Sequence, residues 1–238
     1  MRLSFASAPA TDSSTAKDAA QDAFQAPNDV RVAMVVEQMW QPVPGGSGTY
    51  ITNLAHSLRA QGVKVAGIAA RRSHNDPGSS AVGLETMPVR YANLPRPALY
   101  ESWNRLHSPL AEAILPASDL VHATTWAIPP TRKPLVVTVH DLAFLRNPEH
   151  FTKRGNSYFR KSLQRTIKEA QAVIVPSQAT ADDCYEAGID SERVHVIPHG
   201  VSVQEVSASQ IDLFRTAYGL SRPYVLWTGT REPVSYTH

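Results

Sequence analysis

Two short stretches of the sequence place polar groups where chemistry could occur. Gly45-Gly46-Ser47-Gly48 lies between the apolar run Arg31 to Val36 and a helical pattern that begins near Tyr50. Glycine lets the backbone approach a ligand closely, and the N–H groups at a helix start attract anions such as phosphate. The spacing does not fit G-x-G-x-x-G, no acidic residue closes the second strand, and the Gly-Lys-Ser/Thr of a P-loop is absent. The loop reads either as a ligand loop or as a turn that needs glycine. His140-Asp141 directly follows the run Leu135–Val139. In open parallel sheets ligands bind beyond the carboxyl ends of the strands, and an imidazole there donates or accepts near neutral pH. A histidine bonded to its own loop is the plainer alternative. His122, ending a neighbouring run, is a weaker case of the same kind, and His195 is expected to pack inside its strand.

A third cluster is basic. Lys153, Arg154, Arg160, Lys161, Arg165 and Lys168 crowd into one stretch, with Glu149 and Glu169 the nearby acids. Arg160, Lys161, Gln164, Arg165 and Lys168 fall largely opposite the apolar face of Phe159, Leu163 and Ile167. This is either a solvated face or a contact for anionic lipid headgroups or a phosphorylated acceptor. No Gly-x-Ser-x-Gly elbow marks a hydrolase, and Ser177 at a strand-to-helix turn reads as an N-cap. No helical pattern carries an i, i+4 histidine pair, and the lone Cys184 excludes a Cys-rich zinc site and an internal disulfide. No metal and no cofactor is expected.

The elements that must position these groups alternate. Arg31–Val36 is a strand buried on both faces, Ile51, Leu54, Ala55 and Leu58 mark a helix, and Val63–Ile68 is a second strand. Strand, helix, strand is a βαβ unit with a parallel crossover. Pro-rich loop fills 71–98, and one helix is predicted over about 99–115. Strands at 120–123 and 135–139, a helix at 155–170, a strand at 172–175, a helix from Ser177 to Glu186 and a strand at 194–197 follow. The fold class is therefore α/β, a Rossmann-like doubly wound parallel sheet.

Composition agrees. The 238 residues carry 42% apolar and 18% charged side chains and a net charge of +2, which points to a globular chain and not to nucleic-acid binding. No apolar run reaches membrane-spanning length, so a cytoplasmic location is expected. Residues 1–29, rich in Ala and Asp, read as a disordered leader, and 30–205 as one domain. Residues 206–222 read as a linker with a helix at 211–218, and 223–238 as the beginning of a second α/β unit.

Six stretches together resemble family 4 glycosyltransferases: the Gly45–Gly48 loop with Tyr50–Leu58, Asp119-Leu-Val-His122, Val137-Thr-Val-His-Asp-Leu142, Ala172-Val-Ile-Val-Pro-Ser177, Val196-Ile-Pro-His-Gly-Val201 and Tyr224-Val-Leu-Trp-Thr-Gly-Thr-Arg-Glu-Pro233. They occur in the family's order. The resemblance implies a GT-B architecture, an N-terminal domain holding mainly the acceptor, and metal-free transfer of a hexose from a nucleotide sugar with retention. The acceptor would be a glycan or a lipid-linked molecule. Gly45, Gly46 and Ser47 would face donor phosphates and acceptor, and His140, beside Asp141, would contact the transferred sugar. Arg231 would open the donor domain's phosphate loop. The basic stretch would let Arg160, Lys161, Arg165 and Lys168 touch an anionic membrane at its inner face. After Glu232-Pro233 the expected Arg-Lys pair is replaced by Val234-Ser-Tyr-Thr-His238, so the chain reads as truncated and as inactive by itself. Two other classes stay open, a nucleotide-sugar epimerase of related fold and a non-catalytic ligand-binding module.

Overall fold

A computed structural model of the protein describes residues 30–41, 43–72, 87–201 and 205–225. The expected leader and Arg231 lie outside the described residues. The strands are β1 (Arg31–Val35), β2 (Lys64–Ala69), β3 (Val89–Tyr91), β4 (Leu120–Ala123), β5 (Leu135–Thr138), β6 (Ala172–Val175) and β7 (Val194–Val196). The helices are α1 (Gly45–Ala60), α2 (Arg96–Arg105), α3 (Ala111–Ile114), α4 (Ala143–Arg146), α5 (Lys153–Glu169), α6 (Gln178–Glu186) and α7 (Ala208–Ala217). The strands form one seven-stranded sheet in the order β3-β2-β1-β4-β5-β6-β7. Every neighbouring pair is parallel.

Both faces of the sheet are covered, and β1 shows why its sequence is apolar throughout. Ala33 and Val35 join the core packed under Leu99, Trp103, Phe144 and Leu163. Val32, Met34 and Val36 point the other way, against Ile51 and Ala55 of α1. A strand buried on both faces has no solvent side to leave polar. Asp119 ties the amino ends of β1 and β4 together, accepting from the Arg31 N–H at 2.9 Å and from its guanidinium at 3.1 and 2.8 Å. Those bonds hold the Asp119 carboxyl down at about 2.

Four expectations are corrected. The segment predicted as one helix is two, because His107 takes φ of 50° and Pro109 has no N–H to continue the ladder. The Trp103 indole spans the break by donating to the Pro109 carbonyl at 3.1 Å. β3 was expected as loop; its three residues form an edge strand beside β2 too short for a periodic signal. His195 is exposed, because β7 is the opposite edge of the sheet and only Val194 is buried there. Of the strand predicted at 223–229, residues 223–225 are in no strand, and the remainder lies outside the described residues. The Ser177 N-cap is present, its hydroxyl accepting from the Thr180 N–H at 3.2 Å.

Gly67 shows how closely β2 is covered. A Cβ there would stand 2.8 Å from Val36 Cγ2 and 3.1 Å from both Met87 Cε and Val89 Cγ2. Gly67→Ala is expected to destabilise by about 1–3 kcal/mol through overpacking. Urea unfolding checks this, and an unchanged midpoint would contradict it.

Candidate functional site

The site forms at the carboxyl edge of the sheet, where β1, β4 and β5 run side by side. His140 leaves that edge just after β5. Its Nε2 lies 3.1 Å from the Thr124 carbonyl oxygen. A carbonyl only accepts, so Nε2 carries the proton and Nδ1 is the acceptor. The partner of Nδ1 is the Nε2–H of His199 at 3.2 Å, arriving from the loop after β7. Burial lowers the basicity of His140; the Thr124 carbonyl opposes this, His199 adds to it, and Asp141 opposes it again. The imidazole is neutral at pH 7.

Side chains that sequence reasoning missed support this histidine. The Tyr50 ring of α1 stands edge-on to His140 at 5.1 Å and against His199 at 4.7 Å. The hydroxyls of Tyr50 and Thr138 share a hydrogen bond of 3.0 Å, and burial raises the Tyr50 pKa, so the phenol stays protonated. His122 Nε2 meets the same Thr138 hydroxyl at 2.8 Å. Burial, with His140 as a lesser cause, holds His122 down at about 4. His122, Thr138, Tyr50, His140 and His199 thus form one connected network running from the buried sheet to its surface. Tyr50, Thr138 and His199 lie inside stretches that carry the family resemblance, but their residue types and spacing alone did not mark them as partners of His140.

The glycine loop is the first turn of α1 and not a separate loop. Gly45 has φ of 61°, and a Cβ on Gly48 would meet Pro44 Cβ at 2.4 Å, so both positions have structural reasons to be glycine. Gly46 faces open space, and Ser47 lines the cleft that His140 and Asp141 also line. The structure brings Ser47, His140 and Asp141 together; Gly45 and Gly46 stand at the same edge outside the cleft lining. Asp141 is exposed, and one carboxylate oxygen accepts from the Ala143 N–H at 3.0 Å.

The cleft encloses about 870 Å³ between this edge and helices α2 and α5. Its wall is aromatic: Tyr100 stacks on Tyr158 at 5.6 Å, and Trp126 meets Phe144 edge-on at 5.3 Å. Burial raises the pKa of both tyrosines, leaving neutral hydroxyls beside apolar rings. Such a wall suits sugar rings and other amphipathic molecules.

Arg165 departs from the expected basic face. Its guanidinium turns inward, donating to the Ile128 carbonyl at 2.6 Å and to the Glu169 carboxylate at 3.1 and 2.8 Å. With its side chain 8% exposed, it is not a membrane contact. Arg160, Lys161 and Lys168 are exposed as expected. Among the described residues, no three His, Cys, Asp or Glu side chains are grouped to hold a metal ion, and no helix is long and apolar enough to cross a membrane.

Residues 44–205 match the family model described as Glycosyltransferase Family 4. The chain is 29% identical over 223 residues to alpha-maltose-1-phosphate synthase of Mycolicibacterium smegmatis (strain ATCC 700084 / mc(2)155), covering 84% of this chain and 53% of that protein. The structure resembles crystal structures of Anabaena Alr3699/HepE. The complex with UDP and glucose gives a TM-score of 0.53 at 21% identity, over 80% of this chain and 50% of that one. The complex with UDP-glucose gives 0.53 at 22% identity, over 79% and 50%. At these identities the solved structures show a shared fold. The chain spans about half the length of the relatives it matches.

Proposed function

The chain belongs to glycosyltransferase family 4, and on that premise we propose that it forms the acceptor side of an enzyme transferring a hexose from a nucleotide sugar to a glycan or lipid-linked acceptor with retention of configuration. The observation that carries the reading is the neutral, anchored His140 beside an aromatic cleft at the carboxyl edge of the sheet. A sugar hydroxyl can replace His199 at Nδ1 and donate to it, while Thr124 keeps the ring in place. Positioning of this kind can account for roughly 7–11 kcal/mol of a transfer barrier. The N–H groups at the start of α1, near Gly45, Gly46 and Ser47, would meet donor phosphate oxygens, and dipoles fixed in advance stabilise charge on a departing diphosphate.

The donor is proposed to be a nucleotide sugar of the glucose or mannose type. UDP-glucose occupies one of the Anabaena structures, which supports a glucose donor. No metal is assigned a part. Arg231 keeps the phosphate-loop role that the resemblance gives it. The enzyme is proposed to work in the cytoplasm.

Product analysis of the native gene product tests the reading. Incubated with UDP-glucose or GDP-mannose and a panel of glycan and lipid-linked acceptors, it is expected to release one nucleoside diphosphate per glycoside formed. NMR of the anomeric proton should show the donor's configuration. An epimerised nucleotide sugar without diphosphate release would contradict transfer and establish an isomerase.

A further inference from the structure

The cleft beside His140 does not end at its aromatic wall. A second hollow of about 780 Å³ continues along α5 and shares Asn104, Phe151, Ser157 and Lys161 with it. Lys153, Arg160, Lys161, Gln164 and Lys168 line this hollow, and their spacing puts them along one stripe of the helix. Among the described residues its one carboxylate is Glu169, held by Arg165 through two hydrogen bonds, so these two neutralise each other. Among the described residues, Lys153, Lys161 and Lys168 have no ion-pair partner, and Arg160 donates to the Asn156 amide oxygen at 2.7 Å.

The arrangement is unfavourable in isolation. Lys153 and Arg154 stand in the first turn of α5, which holds no acidic residue, so their charge adds to the positive end of the helix dipole. Like charges along one stripe repel. An anion in the hollow would relieve both, and cationic side chains with a neighbouring amide form charge-assisted hydrogen bonds to phosphate oxygens. The hollow opens onto the His140 cleft at Lys161, so one ligand can occupy both.

We propose that the acceptor carries a phosphate group, which the α5 stripe binds through Lys161 and Lys168 with Arg160 beside them, while the acceptor's reacting end lies in the aromatic cleft near His140. This rests on the glycosyltransferase reading above and names the acceptor class for it. The phosphate belongs either to a soluble sugar phosphate or to a lipid phosphate, and the α5 cations meet the same oxygens in both.

Isothermal titration of the 238-residue chain tests the site directly. Glucose 1-phosphate or glucose 6-phosphate, or vesicles containing 30% phosphatidylglycerol, are expected to bind, and which one binds identifies the source. The Lys161→Gln/Lys168→Gln pair should weaken that binding roughly 25-fold, since each cation near such a surface is worth about fivefold. The Lys161→Arg/Lys168→Arg pair should retain binding, which separates lost charge from lost fold. Equal binding by the native chain and the Gln pair, or no binding of any phosphate probe, would overturn the proposal. Kinetics of the native gene product then separate this inference from its premise. A raised KM for a phosphorylated acceptor at unchanged kcat supports both. Transfer to phosphorylated acceptors that is no better than to neutral ones and is untouched by the Gln pair overturns the phosphate site alone. Phosphate binding without transfer to any acceptor overturns the glycosyltransferase reading and leaves the site.

Discussion

Replacing His140 by alanine is expected to lower kcat of the native gene product by roughly 100-fold or more, the scale seen when one preorganised polar contact to the reacting region is lost. The side chain does not hold up the fold. It is half-buried, and its removal uncovers the Thr124 carbonyl and leaves His199 without its acceptor. That costs about 1–3 kcal/mol, less than unfolding requires. Initial rates at saturating donor, with thermal unfolding in parallel, separate the two effects. A kcat within threefold of the native value in a folded variant would remove His140 from the reaction.

The second large effect is on stability in acid. His122 titrates at about 4 in the folded protein against 6.5 in its absence, because burial beside Thr138 penalises the charged ring. A depressed histidine binds fewer protons folded than unfolded, so its contribution is complete above about 6.5 and is lost as the pH falls from 6.5 towards 4. The full loss is about 3 kcal/mol, at about 1.4 per pH unit. His140 is depressed as well and acts in the same direction. Urea unfolding at pH 7 and pH 4.5 should show a marked loss for the native chain and a smaller one for His122→Gln. Equal losses in both would show that His122 does not govern the acid response.

The alternation of apolar runs with helical patterns made the sheet legible, because strands buried on both faces admit few polar residues. The failures have particular causes. β3 is three residues long and sits among prolines, where no period can register. The break at Pro109 depends on a single residue within an otherwise helical pattern. Arg165 looked like surface because its charge is balanced by Glu169 and the Ile128 carbonyl, the second of which comes from another element. The site was half legible. His140 announced itself by type and by its place after a strand. Tyr50 did not, because its partner Thr138 lies 88 residues away, and the contact of His140 with His199 spans 59. Such pairs exist only once the sheet has brought the strand ends together. The glycine loop drew attention as a ligand loop, yet at Gly45 and Gly48 the backbone itself requires glycine.

On the proposed function, the acceptor sits in the cleft between the carboxyl edge of the sheet and helices α2 and α5. The most direct test of that placement is NMR on the chain labelled at tryptophan indoles and histidine rings, titrated with whichever acceptor the product analysis identifies. Saturable shifts at Trp126 and His140, lost when Trp126 is replaced by alanine, are the expected result. Silence at both residues while the acceptor binds would place the acceptor site elsewhere on the protein.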